Sequence, residues 1–120
     1  MKKILVVEYE PDVCNILKSA LERQKEFIVD IAADGEEALK KIQDSTPDLI
    51  VLDLAMPKIS GEELLKLIRS NFKTLNTPVI VSTVEKQTAS LVNLMNLGAT
   101  DYLSKPYDIK ELLRAVEIYI

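Results

Sequence analysis

The stretch Asp48–Gly61 reads DLIVLDLAMPKISG, and its first half decides what kind of sheet the chain builds. Leu49, Ile50, Val51 and Leu52 are apolar, partly β-branched and uninterrupted. So short a run, without polar alternation, fits a strand covered on both faces, as in a parallel sheet. It ends in Asp53. In open α/β sheets the carboxyl ends of the strands are where ligands and chemistry sit. Taken alone, the carboxylate can equally be a polar strand terminator, so the other strand ends must decide. Met56-Pro57 then forces a turn, and Gly61 stands just before the next helical pattern.

Working outward from this strand, elements of two kinds alternate. Lys3 to Val7 reads as a first buried strand, after which Pro11 opens a helix where its missing N–H costs little. Val13, Ile16, Leu17, Ala20 and Leu21 form one apolar stripe of that helix. Phe27 to Ala32 is the second strand, Asp34-Gly35 a turn, and Ala38, Leu39 and Ile42 mark a shorter helix ending near Asp44. Pro47 precedes the third strand. Gly61 to Ser70 is a helix with Leu64, Leu65 and Ile68 inward, and Thr74 to Pro78 a loop. Val79 to Val81 is the fourth strand, ending in Ser82-Thr83. A helix from Lys86 to Leu97 stops at Gly98, and Tyr102 and Leu103 lie in a short fifth strand before Ser104-Lys105-Pro106. Asp108 caps a last helix with Ile109, Leu112, Leu113 and Val116 inward. Strand and helix alternate five times, which implies a parallel sheet, right-handed crossovers and helices on both faces. Residues 1–120 read as one domain.

Composition narrows the function. The net charge of −4 and a pI near 4.9 argue against binding nucleic acid or an anionic membrane surface. No apolar run approaches the length that spans a bilayer, and the N-terminal run is too short for an export signal. The single cysteine, Cys14, cannot form an internal disulfide, which fits a reducing cytosol and a packing role. The absence of histidine removes histidine metal sites, serine–histidine triads and self-phosphorylation on histidine.

The strand ends carry matching chemistry: Glu8-Tyr9-Glu10 after the first, Asp53 after the third, Thr83 after the fourth and Lys105-Pro106 after the fifth. With the segments ILVVEYEP, VLDLAMPKISG, PVIVST, GATDYLSKP and KELLRAV, the chain resembles, over its whole length, the receiver domain of two-component response regulators. The DxxMPxxxG spacing from Asp53 to Gly61, with Lys105-Pro106 downstream, carries the resemblance. It implies a flavodoxin-like, doubly wound sheet of five parallel strands with five helices. It implies that Asp53 accepts a phosphoryl group from a partner histidine kinase or phosphotransfer protein, as a covalent carboxylate nucleophile. It implies that Lys105 pairs the phosphoryl oxygens, that Thr83 donates to the attached group and that Tyr102 follows Thr83 as a switch aromatic. Magnesium is the implied cofactor, held by carboxylates of the Glu8 and Asp53 pocket and the Ala55 carbonyl. Pro57, Gly61 and Pro106 support the turns, including a cis peptide.

Two positions depart from the family pattern. Tyr9 stands where a second acid ligates magnesium; a phenol is neutral near pH 7 and a poor ligand for a hard cation. Glu10, one residue away, is the only nearby replacement. Val84 stands where alanine is usual and is expected to crowd the phosphoryl site. Two readings follow: a phosphorylatable switch that alters a protein-interaction face, or an atypical receiver that binds partners without phosphorylation. An enzyme is disfavoured. A haloacid-dehalogenase phosphatase needs a second aspartate where Ala55 stands, and EYEPD after the first strand lacks the glycine of a phosphate-cradling loop.

For a partner surface, the helix before Gly98 carries more apolar residues than one face can bury. Leu91 and Leu94 are expected outside, beside Tyr102, Tyr107 and the last helix, as a face for an output partner or a second copy. The chain is expected in the cytoplasm. Kinase, pathway, downstream target, oligomeric state and any longer parent chain stay open.

Overall fold

In the computed structural model residues 1–24, 26–84 and 87–120 are described, without the Thr88 side chain. Five strands and five helices alternate along the chain. The strands are β1 (Lys2–Val7), β2 (Phe27–Ala32), β3 (Leu49–Asp53), β4 (Val79–Thr83) and β5 (Asp101–Ser104). The helices are α1 (Pro11–Glu22), α2 (Gly35–Asp44), α3 (Gly61–Ser70), α4 (Thr88–Asn96) and α5 (Ile109–Tyr119). All neighbouring strands pair parallel, in the order β2-β1-β3-β4-β5. The order reverses between β1 and β3, and a doubly wound sheet opens its crevice at that switch point.

Every residue of β3 and β4 is buried, as an apolar run covered on both faces requires. Alternation along each strand sorts side chains into two cores. Leu5, Val7, Ile50, Leu52, Val79 and Val81 face α2, α3 and α4. Ile4, Val6, Leu49, Val51 and Ile80 face α1 and α5. Continuing that alternation puts Glu8, Asp53 and Ser82 on the α1/α5 face, in one row across three strands, and Thr83 on the other face.

Local chemistry starts the helices. Pro11 is the first residue of α1. Asp34, Ser60 and Asp108 cap α2, α3 and α5, accepting from the backbone N–H groups of Glu37, Glu63 and Glu111. The Asp34-Gly35 turn is therefore corrected to a cap and a first helical residue, because the Asp34 side chain satisfies a donor that the helix leaves open. In α1, Leu17, Ala20 and Leu21 are buried, but Ile16 is 57% exposed and Cys14 takes an inward place. The stripe is rotated from the expected one. In α4, Leu94 is 3% exposed and Leu91 half-buried, while Val92 and Met95 face outward. The expectation that Leu91 and Leu94 form an exposed pair is overturned for Leu94. Its side chain completes the α3-side core, and Val92 and Met95 take the outer places. Helix α4 begins at Thr88; the expected start at Lys86 lies outside the described residues. Gly98, with φ of 107°, stands just beyond the helix, where its N–H bonds to the Met95 carbonyl.

Candidate functional site

The site lies at the carboxyl ends of β1, β3, β4 and the segment after β5. Asp53 is 6% exposed and Glu8 3% exposed. Two carboxylates that deep need a cation or shared hydrogen bonds. Lys105 supplies the cation: its Nζ stands 3.2 Å from Asp53 Oδ1 and 3.7 Å from Glu8 Oε1. Asp53 Oδ1 also accepts the Ala55 N–H at 3.1 Å, and Glu8 Oε2 the Glu10 N–H at 3.1 Å. Burial pushes the Glu8 carboxyl above its usual value and the Asp53 carboxylate adds to the rise. Burial alone would lower the Lys105 ammonium, but Asp53 and Glu8 outweigh it and hold the pKa above that of a free lysine. The ammonium is firmly charged.

The loop after β3 shapes this pocket through close backbone approach. The Leu54 carbonyl accepts both Met56 N–H, at 3.1 Å, and Gly61 N–H, at 3.2 Å. A Cβ on Gly61 would lie 2.4 Å from Leu54 Cα and 3.0 Å from the Asp53 carbonyl. Only glycine lets α3 start against the residue after Asp53. Within this loop Lys58 adopts φ of 67° and pairs with Asp34 at 3.2 Å, tying the loop to α2. On the far side, the Lys105 N–H donates to the Thr83 carbonyl at 2.7 Å, and the Lys105–Pro106 peptide is cis.

Asp53, Glu8 and Lys105 thus come together at the strand ends, and Ala55 joins them through its N–H on Asp53, with no contact of its carbonyl to the pocket seen among the described residues. Thr83 lines a cleft of about 490 Å³ between the β3–α3 loop and α4, with Ala55, Glu62 and Asn93. Tyr102, 36% exposed, stands on β5. Glu10 and Tyr9 are exposed, Tyr9 at 55%. Val84 is 72% exposed and lines the cleft beside Thr83 and Ala55. Tyr107 is half-buried and, with Ser82, Lys105, Glu8 and Asp53 around its phenol, belongs to the site more than to an outer face. Ser82, buried and in register with Asp53, is a residue that the sequence reading did not single out. A serine directly after the apolar run Val79–Val81, in a strand buried throughout, was the available signal.

The donor set suits magnesium in kind. Hard carboxylate oxygens from Glu8 and Asp53 meet the preference of an ion often bound by one or two carboxylates together with phosphate. It is sparse in number: among the described residues no group of three or more His, Cys, Asp or Glu is placed to hold a metal. No described helix is long and apolar enough to cross a membrane.

Comparison with known proteins agrees with this geometry. The family model of the response regulator receiver domain matches residues 4–117. The response regulator ArlR of Staphylococcus saprophyticus is 40% identical over 116 residues, covering 97% of this chain and 51% of that protein. The chain spans about half the length of the curated relatives it matches. The chemotaxis protein CheY4 of Vibrio cholerae superposes with a TM-score of 0.93 at 30% identity, covering 100% of this chain and 99% of that one. The receiver domain of the sensor histidine kinase PA1611 from Pseudomonas aeruginosa was solved with a magnesium ion in its active-site cleft. It gives a TM-score of 0.87 at 27% identity, over 98% of this chain and 96% of that one.

Proposed function

We propose, for a chain that belongs to the response regulator receiver domain family, that Asp53 is the phosphoryl acceptor and that Lys105 and Thr83 are the groups that hold the phosphoryl oxygens. The supporting observation is the Lys105 ammonium poised 3.2 Å from a buried carboxylate. Both neighbouring donors grip Oδ1 of Asp53, which leaves Oδ2 to attack. The Oδ2–P bond forms as the P–N bond to a partner's phosphohistidine breaks, and the imidazole nitrogen keeps that electron pair and takes a proton from water. Lys105 meets the charge on the phosphoryl oxygens with little reorganisation, because it is already half-buried and aimed at the acceptor. Once the group is attached, the Thr83 hydroxyl donates to it from the α4 side of the sheet.

Magnesium, when bound, would add a second positive charge against the phosphoryl group, and Glu8 and Asp53 are the residues that would hold it. Tyr9 replaces an acid at this pocket, and Glu10 offers its backbone N–H to Glu8 while its carboxylate stays exposed. Magnesium affinity is therefore reduced. The domain acts as a cytoplasmic signalling module, not as an enzyme with turnover. It presents α4, β5 and α5, with Val92, Met95 and Tyr102 outward, to an output partner or a second copy.

The test is intact mass after incubation with a small acyl-phosphate donor, with and without magnesium. A phosphate adduct that Asp53→Ala abolishes supports the acceptor. An adduct seen only in Tyr9→Asp would favour the phosphorylation-independent binding module. Isothermal titration gives the metal arm: equal magnesium affinity in the wild type and Tyr9→Asp would sink the reduced-affinity reading.

A further inference from the structure

The loop between Asp53 and α3 is fastened to the start of α2 at two adjacent residues. Lys58 Nζ reaches Asp34 Oδ2 at 3.2 Å and Glu36 Oε2 at 3.7 Å. Ile59 packs so close to Gly35 that a Cβ there would stand 2.7 Å from Ile59 Cβ. Asp34 uses both its oxygens. Oδ1 accepts the Glu37 N–H at 2.9 Å and caps α2, while Oδ2 meets the ammonium. The partner of Lys58 is thus itself held by a helix end. Lys58 is also, among the described residues, the one non-glycine with a left-handed backbone, φ of 67°. A side chain disfavours that conformation and glycine adopts it freely. Such an outlier points to a function for the side chain that bears the cost.

We propose that Lys58 is a positioning residue for Asp53, its ammonium on Asp34 holding the β3–α3 loop so that the Ala55 N–H stays on Asp53 Oδ1. Lys58 stands three residues beyond Ala55, whose N–H donates to Oδ1 at 3.1 Å. At its base the loop closes on the Leu54 carbonyl, which takes the N–H groups of Met56 and Gly61. Beyond that it is pinned to α2 through Lys58 and Ile59. Ala55 lies between the two fastenings, so its N–H has a fixed direction. With Oδ1 gripped by that N–H and by Lys105, the carboxylate keeps Oδ2 turned to the incoming phosphorus. The ammonium of Lys58 pairs with acids of α2 and its cap, not with those of the pocket. It therefore acts through the loop and not on the reacting atoms. This inference rests on Asp53 being the acceptor.

The experiment compares the wild type with Lys58→Met, Asp34→Asn, the double variant and Lys58→Arg. It reads the phosphorylation rate with an acyl-phosphate donor, at low and at high salt, and the melting temperature of each. Each single loss of charge should slow phosphorylation about threefold at low salt, the scale of one exposed ion pair. The double variant should be no slower than either single one, and Lys58→Arg should stay near the wild type. The losses should fade at high salt, where exposed pairs are screened. Unchanged rates, additive losses, a loss equal at both salts or one that tracks melting temperature would overturn the proposal. Amide exchange at the Ala55 N–H, measured without any phosphodonor, tests the fastening apart from the acceptor. Faster exchange in both single variants supports the fastening even if the wild type takes no phosphoryl group. Unchanged exchange rejects it.

Discussion

Lys105 Nζ lies 3.2 Å from Asp53 Oδ1, a half-buried ammonium against a buried carboxylate. The same ammonium reaches Glu8 at 3.7 Å. One cation therefore balances two buried acids, and its removal leaves them facing each other. Lys105→Met should slow phosphorylation about a hundredfold, the scale seen when one preorganised charge-stabilising donor is lost. A time course of intact mass measures this. A rate within a factor of two of the wild type would mean that Lys105 does not meet the transferring group.

Gly61 is held to its identity by backbone, since any Cβ would collide with Leu54 Cα. Gly61→Ala should cost about 1–3 kcal/mol, as overpacking of a tight contact does. It should also slow phosphorylation, because the displaced residue adjoins Asp53. Urea unfolding gives the first effect and the mass assay the second. Full stability in Gly61→Ala would show that the α3 entry has room to relax.

Leu94 and its neighbours on α4 separate packing from presentation. Leu94→Ala should destabilise by about 2–5 kcal/mol, the range for a large-to-small change in a core. Val92→Ser and Met95→Ser should change stability by less than about 0.5 kcal/mol, as for surface positions. The reverse order in thermal unfolding would put the inner face of α4 on the wrong side.

Asp34 provides a pH signature away from the site. The Glu37 N–H that it caps, and Lys58 beside it, hold its carboxyl below the usual aspartate value. A group with a lowered folded pKa contributes stability above its unfolded value and loses it as pH falls through the folded one. Asp34→Ala should therefore melt lower than the wild type at neutral pH. The gap should narrow as pH drops through and below about 3.9, the ordinary aspartate value. A gap independent of pH would assign the effect to helix propensity and not to the charged cap.

Much of this molecule was legible in the chain itself. The uninterrupted run Leu49–Leu52 suited a strand covered on both faces, and Asp53 at its end pointed, together with the other strand ends, to the edge where chemistry gathers. Glu8 and Lys105 stand at or just beyond strand ends and meet Asp53 there, whereas Thr83, at the end of β4, lines the cleft on the other side of the sheet. Asp108 read as a cap because a short acceptor precedes an apolar stripe, and it is one.

What the chain could not decide was which of several equivalent options the packing would take. In α4, the apolar residues Leu91, Val92, Leu94 and Met95 crowd more than one face, and a period of 3.6 residues cannot say which face meets the sheet. The α3-side core decided it, because Leu94 fills space there and Val92 does not. Ile16 and Cys14 exchanged places for the same reason. Gly61 looked like a helix start, and only the approach of Leu54 from the preceding turn shows why nothing larger fits. Ser82 and Tyr107 are 25 positions apart in sequence and carry no shared pattern. They come together only because β4 and the segment after β5 end at the same edge of the sheet. Local polarity and period along the chain were enough for the order of the elements and for the acids, hydroxyl and ammonium at their ends. The tertiary structure decided burial, close backbone approach and the pairing of distant side chains, because each depends on atoms that meet only when the sheet and its two helical layers close.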